Sequence, residues 1–202
     1  MKLRVCVALF SIAATTLYAA DKPKAKPAAP APSAQEKAAM EAMTQAATPG
    51  AEHKKLDAFV GTWKATVTSW MAPGAPPTIS TGTAKSEWVL GGRYVQESFT
   101  GSFMNQPFHG LGYTGYDNVK KQYVGTWADT MSTGLMTSTG TMDGANSWKF
   151  AATMADPMTG KDTRVDQKMT VVDKDHHTFE MWSPGPDGKM FKMMEIKYER
   201  KK

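Results

Sequence analysis

Cysteine is nearly missing from this chain: Cys6 is the only one, so every later segment lacks disulfides, a thiol nucleophile and thiolate metal ligands. Long apolar runs are missing too, since no stretch approaches the roughly 18 consecutive apolar residues that a membrane helix needs. The most apolar segment, residues 5–17, follows Lys2 and Arg4 and ends at Tyr18-Ala19-Ala20. That order of charge, apolar run and small-residue exit is a secretory signal peptide, with cleavage expected after Ala20. The sequence therefore predicts an exported protein, periplasmic or secreted, whose mature part has no membrane span. An excess of one charge is also lacking: residues 51–202 carry 18 basic and 16 acidic side chains, well interspersed. So even a balance gives no reason to expect nucleic acid or a membrane surface as a partner. Nucleophile-elbow and zinc-protease signatures, G-x-S-x-G and H-E-x-x-H, do not occur. No cofactor and no metal are expected, and no catalytic residue is assigned.

The organisation of the chain changes twice. Residues 22–32 are almost wholly Lys, Pro and Ala, a composition that cannot bury apolar surface and reads as a linker over 21–32. Ser33 with Glu36 three residues on has the form of a capping box, opening a helix over 35–47 that stops at Pro49-Gly50 within a helical flank of 33–50. A second short helix is expected over 52–59, with Leu56, Phe59 and Val60 on one face, packed on a barrel that occupies 51–202. Beyond Gly61 the periodicity becomes that of strands. Nine turn signals, from residues 73–77 to 184–188, separate runs rich in Thr, Val, Tyr, Phe and Trp. Ten strands joined by short loops pair as an antiparallel meander, and closing it into an up-and-down β-barrel removes both exposed edges. Such a barrel is either filled by side chains or holds a ligand.

Several patterns resemble chemistry. Residues 110–115 spell G-x-G-x-x-G, but that phosphate cradle needs a following helix N-terminus, and here another strand follows. The glycines are better read as points where a strand bends as the barrel closes. His176, His177 and Glu180 resemble a metal cluster, yet neighbouring residues of a strand face opposite ways, so the two histidines do not share one ion. Met181, Met190, Met193 and Met194 near His177 have soft-metal character, but methionine is also a flexible core filler. Arg93, Glu97, His109, Asp129 and Glu180 are the polar residues able to converge inside a barrel. The binding-site expectation is therefore aromatic walls from Trp88, Tyr113, Trp127 and Trp182, with polar guidance from Arg93, Glu97 and Asp129. Two function classes remain open on these residues: a carrier of a small apolar or amphipathic molecule, or an acid/base enzyme using the same pocket. A filled barrel serving as an envelope interaction scaffold is the third reading.

Six blocks then carry a resemblance. They are residues 56–63 (LDAFVGTW), 87–94 (EWVLGGRY), 112–118 (GYTGYDN), 125–129 (GTWAD), 156–161 (DPMTGK), and 175–181 with 185–189 (DHHTFEM, GPDGK). In order and spacing these are similar to the bacterial family of domains of unknown function numbered 1579. The resemblance implies a β-barrel and leaves its activity open. More distantly, Gly61-Thr62-Trp63 after a short helix resembles the start of calycin barrels such as lipocalins. That likeness implies that a basic residue of the last strand, here Arg200, packs over Trp63.

Overall fold

The computed structural model describes residues 31–202 except Met158. The signal-peptide expectation and nearly all of the linker fall outside the described residues.

Helix α1 (Ala34–Ala47) begins where the sequence places it. Ser33 N–H donates to Glu36 Oε2 at 2.7 Å, and Glu36 N–H donates to Ser33 Oγ at 3.2 Å, completing the capping box. No residue of α1 is buried. The expected second helix divides into a single α-turn, α2 (Ala51–Lys54), and a tighter 3₁₀ turn over Lys55–Phe59. It buries Leu56 and Phe59 as expected.

Ten strands follow: β1 (Gly61–Ser69), β2 (Thr78–Val89), β3 (Tyr94–Phe103), β4 (Gln106–Asp117), β5 (Gln122–Asp129), β6 (Met136–Met142), β7 (Ser147–Ala155), β8 (Asp162–Asp173), β9 (His176–Pro184) and β10 (Met190–Arg200). Each pairs antiparallel with its neighbour in sequence, and β1 pairs with β10 from Trp63↔Arg200 to Ser69↔Met194, closing the barrel. One turn is shifted from its expected place. The β3–β4 reversal is made by Met104 and Asn105, both at positive φ, 49° and 63°, a two-residue hairpin whose twist suits its strands. Pro107 therefore lies inside the first turn-proximal residues of β4, where a strand tolerates a missing N–H.

Alternation sets the interior. On β1, Trp63, Ala65, Val67 and Ser69 are buried while Lys64 is exposed, and pairing carries this parity around the barrel. One end is capped by α2 and the 3₁₀ turn, where Leu56 and Phe59 pack with Val95, Tyr123, Trp148 and Phe150. Polar ties fix this cap. Trp63 Nε1 donates to Phe59 O at 2.8 Å, Trp88 Nε1 to Asp57 Oδ1 at 2.7 Å, and Tyr123 OH to Glu52 Oε2 at 2.8 Å. Among the described residues, the opposite end carries only the loops β1–β2, β3–β4, β5–β6, β7–β8 and β9–β10.

Candidate functional site

A carboxyl group sits inside the barrel. Glu97 on β3 shares the inward face with Val95 and Phe99, and its cross-strand partners are Ser86 on β2 and Gly112 on β4. Tyr198 OH donates to Glu97 Oε1 at 3.4 Å, a long hydrogen bond from across the interior. Glu97 retains some accessible surface, yet protein surrounds its carboxyl densely, and the second fact governs its protonation. Burial pushes this acid up to about 7, against the smaller opposing pull of the hydrogen bonds with Tyr198 and Ser86. Burial also raises the Tyr198 phenol, and the adjacent Glu97 raises it further.

Beside the acid lies an indole face. Gly110 and Gly112 point inward, and a Cβ on either would strike the Trp127 ring, at 2.2 Å and 2.7 Å respectively. The glycines are thus where a large ring lies flat against the wall, the arrangement in which an aromatic covers a glycine on the neighbouring strand. The ring is held in orientation, since Trp127 Nε1 donates to Asp129 Oδ2 at 2.9 Å. Phe99 and Phe108, 5.8 Å apart edge to face, with Phe179 and Met194 complete the apolar surroundings.

Toward the capped end, His177 lies buried between Phe59, at 5.2 Å, and Trp63, at 4.3 Å, and stacks on Tyr198 at 4.2 Å. Its Nδ1 has no hydrogen-bond partner among the described residues. Burial, aided by the charge of Arg200, depresses its pKa to about 3, so the ring is neutral at physiological pH.

The residues singled out from sequence divide by position. Glu97, Trp127 and Asp129 come together on the interior face, and Trp88 faces inward at the capped end. Tyr113 and Trp182 lie on the outer face, because their neighbours Gly112 and Met181 take the inward positions. Arg93 is exposed in the β2–β3 turn and donates to Leu90 O at 3.0 Å. His109 is exposed on the outside, and Glu180 is also outside, paired with Lys192 at 2.8 Å. His176 binds Asp173 at 2.9 Å, apart from buried His177, and no group of metal-ligating acids and histidines occurs among the described residues. The methionines split as well. Met181, Met193 and Met194 gather with Met136 and Met154 around Ala152 and Val165, whereas Met190 is exposed.

One cavity of about 710 Å³ lies outside the interior. It is a groove on the outer face of β5 to β9, with Thr139, Thr141, Lys149, Lys168 and Trp182 among its lining. The interior acid and its indole wall, not this open groove, hold the perturbed chemistry. Sequence reasoning missed Tyr198 and Ser86. Parity would have found Tyr198, two residues before Arg200 and so on the same face of β10.

The described residues thus form an all-β protein, a closed ten-stranded antiparallel barrel with a carboxyl group on its interior face. More particularly, the chain belongs to the family described as Protein of unknown function (DUF1579), whose profile matches residues 48–200. Among solved structures it is similar to Rv2717c from M. tuberculosis, with 12% identity and a TM-score of 0.58, over 77% of this chain and 100% of that one. It is also similar to the S-type phycobiliprotein lyase CPES from Guillardia theta, with 12% identity and a TM-score of 0.50, over 77% and 95% of the two chains. At such identity the likeness extends to the fold alone. No curated protein matches the chain. Among the described residues no helix is long and apolar enough to cross a membrane.

Proposed function

We propose that this protein is an exported binding protein that takes a small amphipathic molecule into its barrel through the uncapped end. The apolar part lies against Phe99, Phe108, Trp127 and Phe179, and the polar part reaches Glu97. One observation carries this reading: Glu97 is an interior carboxyl whose hydrogen-bond partners are hydroxyl groups, with no cation beside it among the described residues. An unpaired buried acid costs stability, and a barrel evolved only to be packed has no use for it. Support for entry comes from the uncapped half, where Phe108, Trp127, Asp129, Met136 and Met194 all keep accessible surface. Export rests on the N-terminal sequence pattern.

Native mass spectrometry of the purified protein tests the reading. A co-purifying small molecule that leaves on mild denaturation, and is reduced in Glu97→Gln, is the expected result. A homogeneous unliganded protein that also takes up no amphipathic probe overturns it. A carboxyl titrating near neutrality is also what general-base catalysis requires, and that second reading predicts turnover that Glu97→Gln lowers by about 10² or more.

A further inference from the structure

Resting on that binding reading, we infer that the ligand is an amphipathic cation, an amine or quaternary ammonium on an apolar body, held between the Glu97 carboxylate and the Trp127 ring.

The charge inventory of the interior carries the inference. Following the pairing register around all ten strands, the inward positions include two carboxylates, Glu97 and Asp129, and no lysine. Lys64, Lys85, Lys149 and Lys197 are all exposed on the outer face. Among the described arginines Arg200 alone lies on the inward face, and it is engaged at the capped end. Its guanidinium rests 4.0 Å over Trp63 and donates to Val60 O at 2.8 Å and Lys174 O at 3.0 Å. His177 is shielded by three rings. A fatty acid or phosphate ester brought to mid-barrel would meet the Glu97 carboxyl and no cation among the described residues, and once Glu97 is ionised that like-charge contact rejects it.

The same place is shaped for the opposite charge. The cross-strand neighbour of Glu97 is Gly112, and the space a side chain would fill there is taken by the indole of Trp127. A carboxylate beside an aromatic face is the pair that recognises alkylammonium groups, one by charge and the other by its ring quadrupole. The Asp129 carboxylate, accepting the indole N–H, holds the ring and adds negative potential from the uncapped side. The thioethers of Met136, Met154 and Met194 give the apolar remainder an adaptable bed.

The test compares three probes with the same tail on the full chain by isothermal titration calorimetry: decyltrimethylammonium, decyl sulfate and uncharged decyl glucoside, each below its micelle concentration. The ammonium is expected to bind roughly tenfold or more tighter than the sulfate, with the glucoside between them. Glu97→Gln should erase the preference for the ammonium over the sulfate and the glucoside. Equal binding of all three, or preference for the sulfate, overturns the cationic ligand and leaves the carrier reading standing. Binding of none overturns both. The comparison of probes on the unaltered protein decides the matter even where the variant fails to fold.

Discussion

The Arg200 guanidinium lies 4.0 Å over the Trp63 ring and joins the last strand of the barrel to the first. It also approaches Gly61 so closely that a Cβ there would sit 2.3 Å from Nη1, and Gly61 itself has φ +142°, which disfavours other residues. Replacing Arg200 by Ala removes a cation–π contact and charge-assisted hydrogen bonds to main-chain carbonyls. The expected loss is about 2–4 kcal/mol, read from urea unfolding, with Arg200→Lys recovering only part because it lacks the planar fork. A loss under about 0.5 kcal/mol would show that closure depends on the strand ladder alone.

Gly110→Ala forces the Trp127 ring off the wall, because the new Cβ would lie 2.2 Å from it. The variant should lose about 1–3 kcal/mol, as overpacked interiors do. In a Trp127→Ala background the same change should cost much less, since the clash has gone. A double-mutant cycle measures that coupling, and additive losses would refute the ring-on-glycine account.

Stability should depend on pH through Glu97 in a defined sense. Its folded pKa of about 7 lies above the ordinary 4.5, so the folded protein holds the proton more tightly than the unfolded chain. Its contribution is fully present below pH 4.5 and is lost as pH rises through 7. Glu97→Gln lacks that loss, so relative to the unaltered protein it should gain on the order of 3 kcal/mol between pH 4.5 and 8. The groups facing Glu97 are Ser86 on β2 and Tyr198 on β10, with His177 of β9 stacked behind the phenol. His177 and His53 are depressed by burial and act the other way, losing stability as pH falls below 6.5, but they cancel in the difference between the two proteins. Chemical denaturation of both at the two pH values gives the result, and a pH-independent difference would sink the prediction.

Among the described residues, the side-chain hydrogen bonds that tie helix α1 to the barrel lie at its C-terminal end. Asn118 Nδ2 donates to the carbonyls of Gln45, Ala46 and Thr48, at 3.2, 3.2 and 2.7 Å, and Met40 and Met43 stay exposed. An isolated helix of this length is marginal. Asn118→Ala should raise amide exchange throughout α1 and leave the unfolding midpoint of the barrel unchanged. Slow exchange retained in α1 would mean that another contact holds it.

The fold was largely legible because its determinants are local. Turn residues such as Gly91-Gly92 and Asp143-Gly144, alternation along the strands, and the Ser33–Glu36 box each act within a few residues. Short loops left antiparallel pairing as the only accessible topology. The site was legible in part. Glu97, Trp127 and Asp129 are residue types suited to a barrel interior and do lie on it, whereas Tyr113 and Trp182 fit the same rule and face outward. A one-residue difference in parity reverses the face of a side chain, and parity is fixed by the register with partner strands.

The sequence by itself therefore determined the strand count and all but one of the turns, since each depends on spacing or on near neighbours, while the closing pair of Trp63 and Arg200 followed only from the resemblance to calycin barrels. Only the tertiary structure decided that Glu97, from β3, would meet Tyr198, from β10, beside the Trp127 ring of β5. Closure of the cylinder brings together residues 101 positions apart, and no periodicity along one strand encodes what lies across the interior.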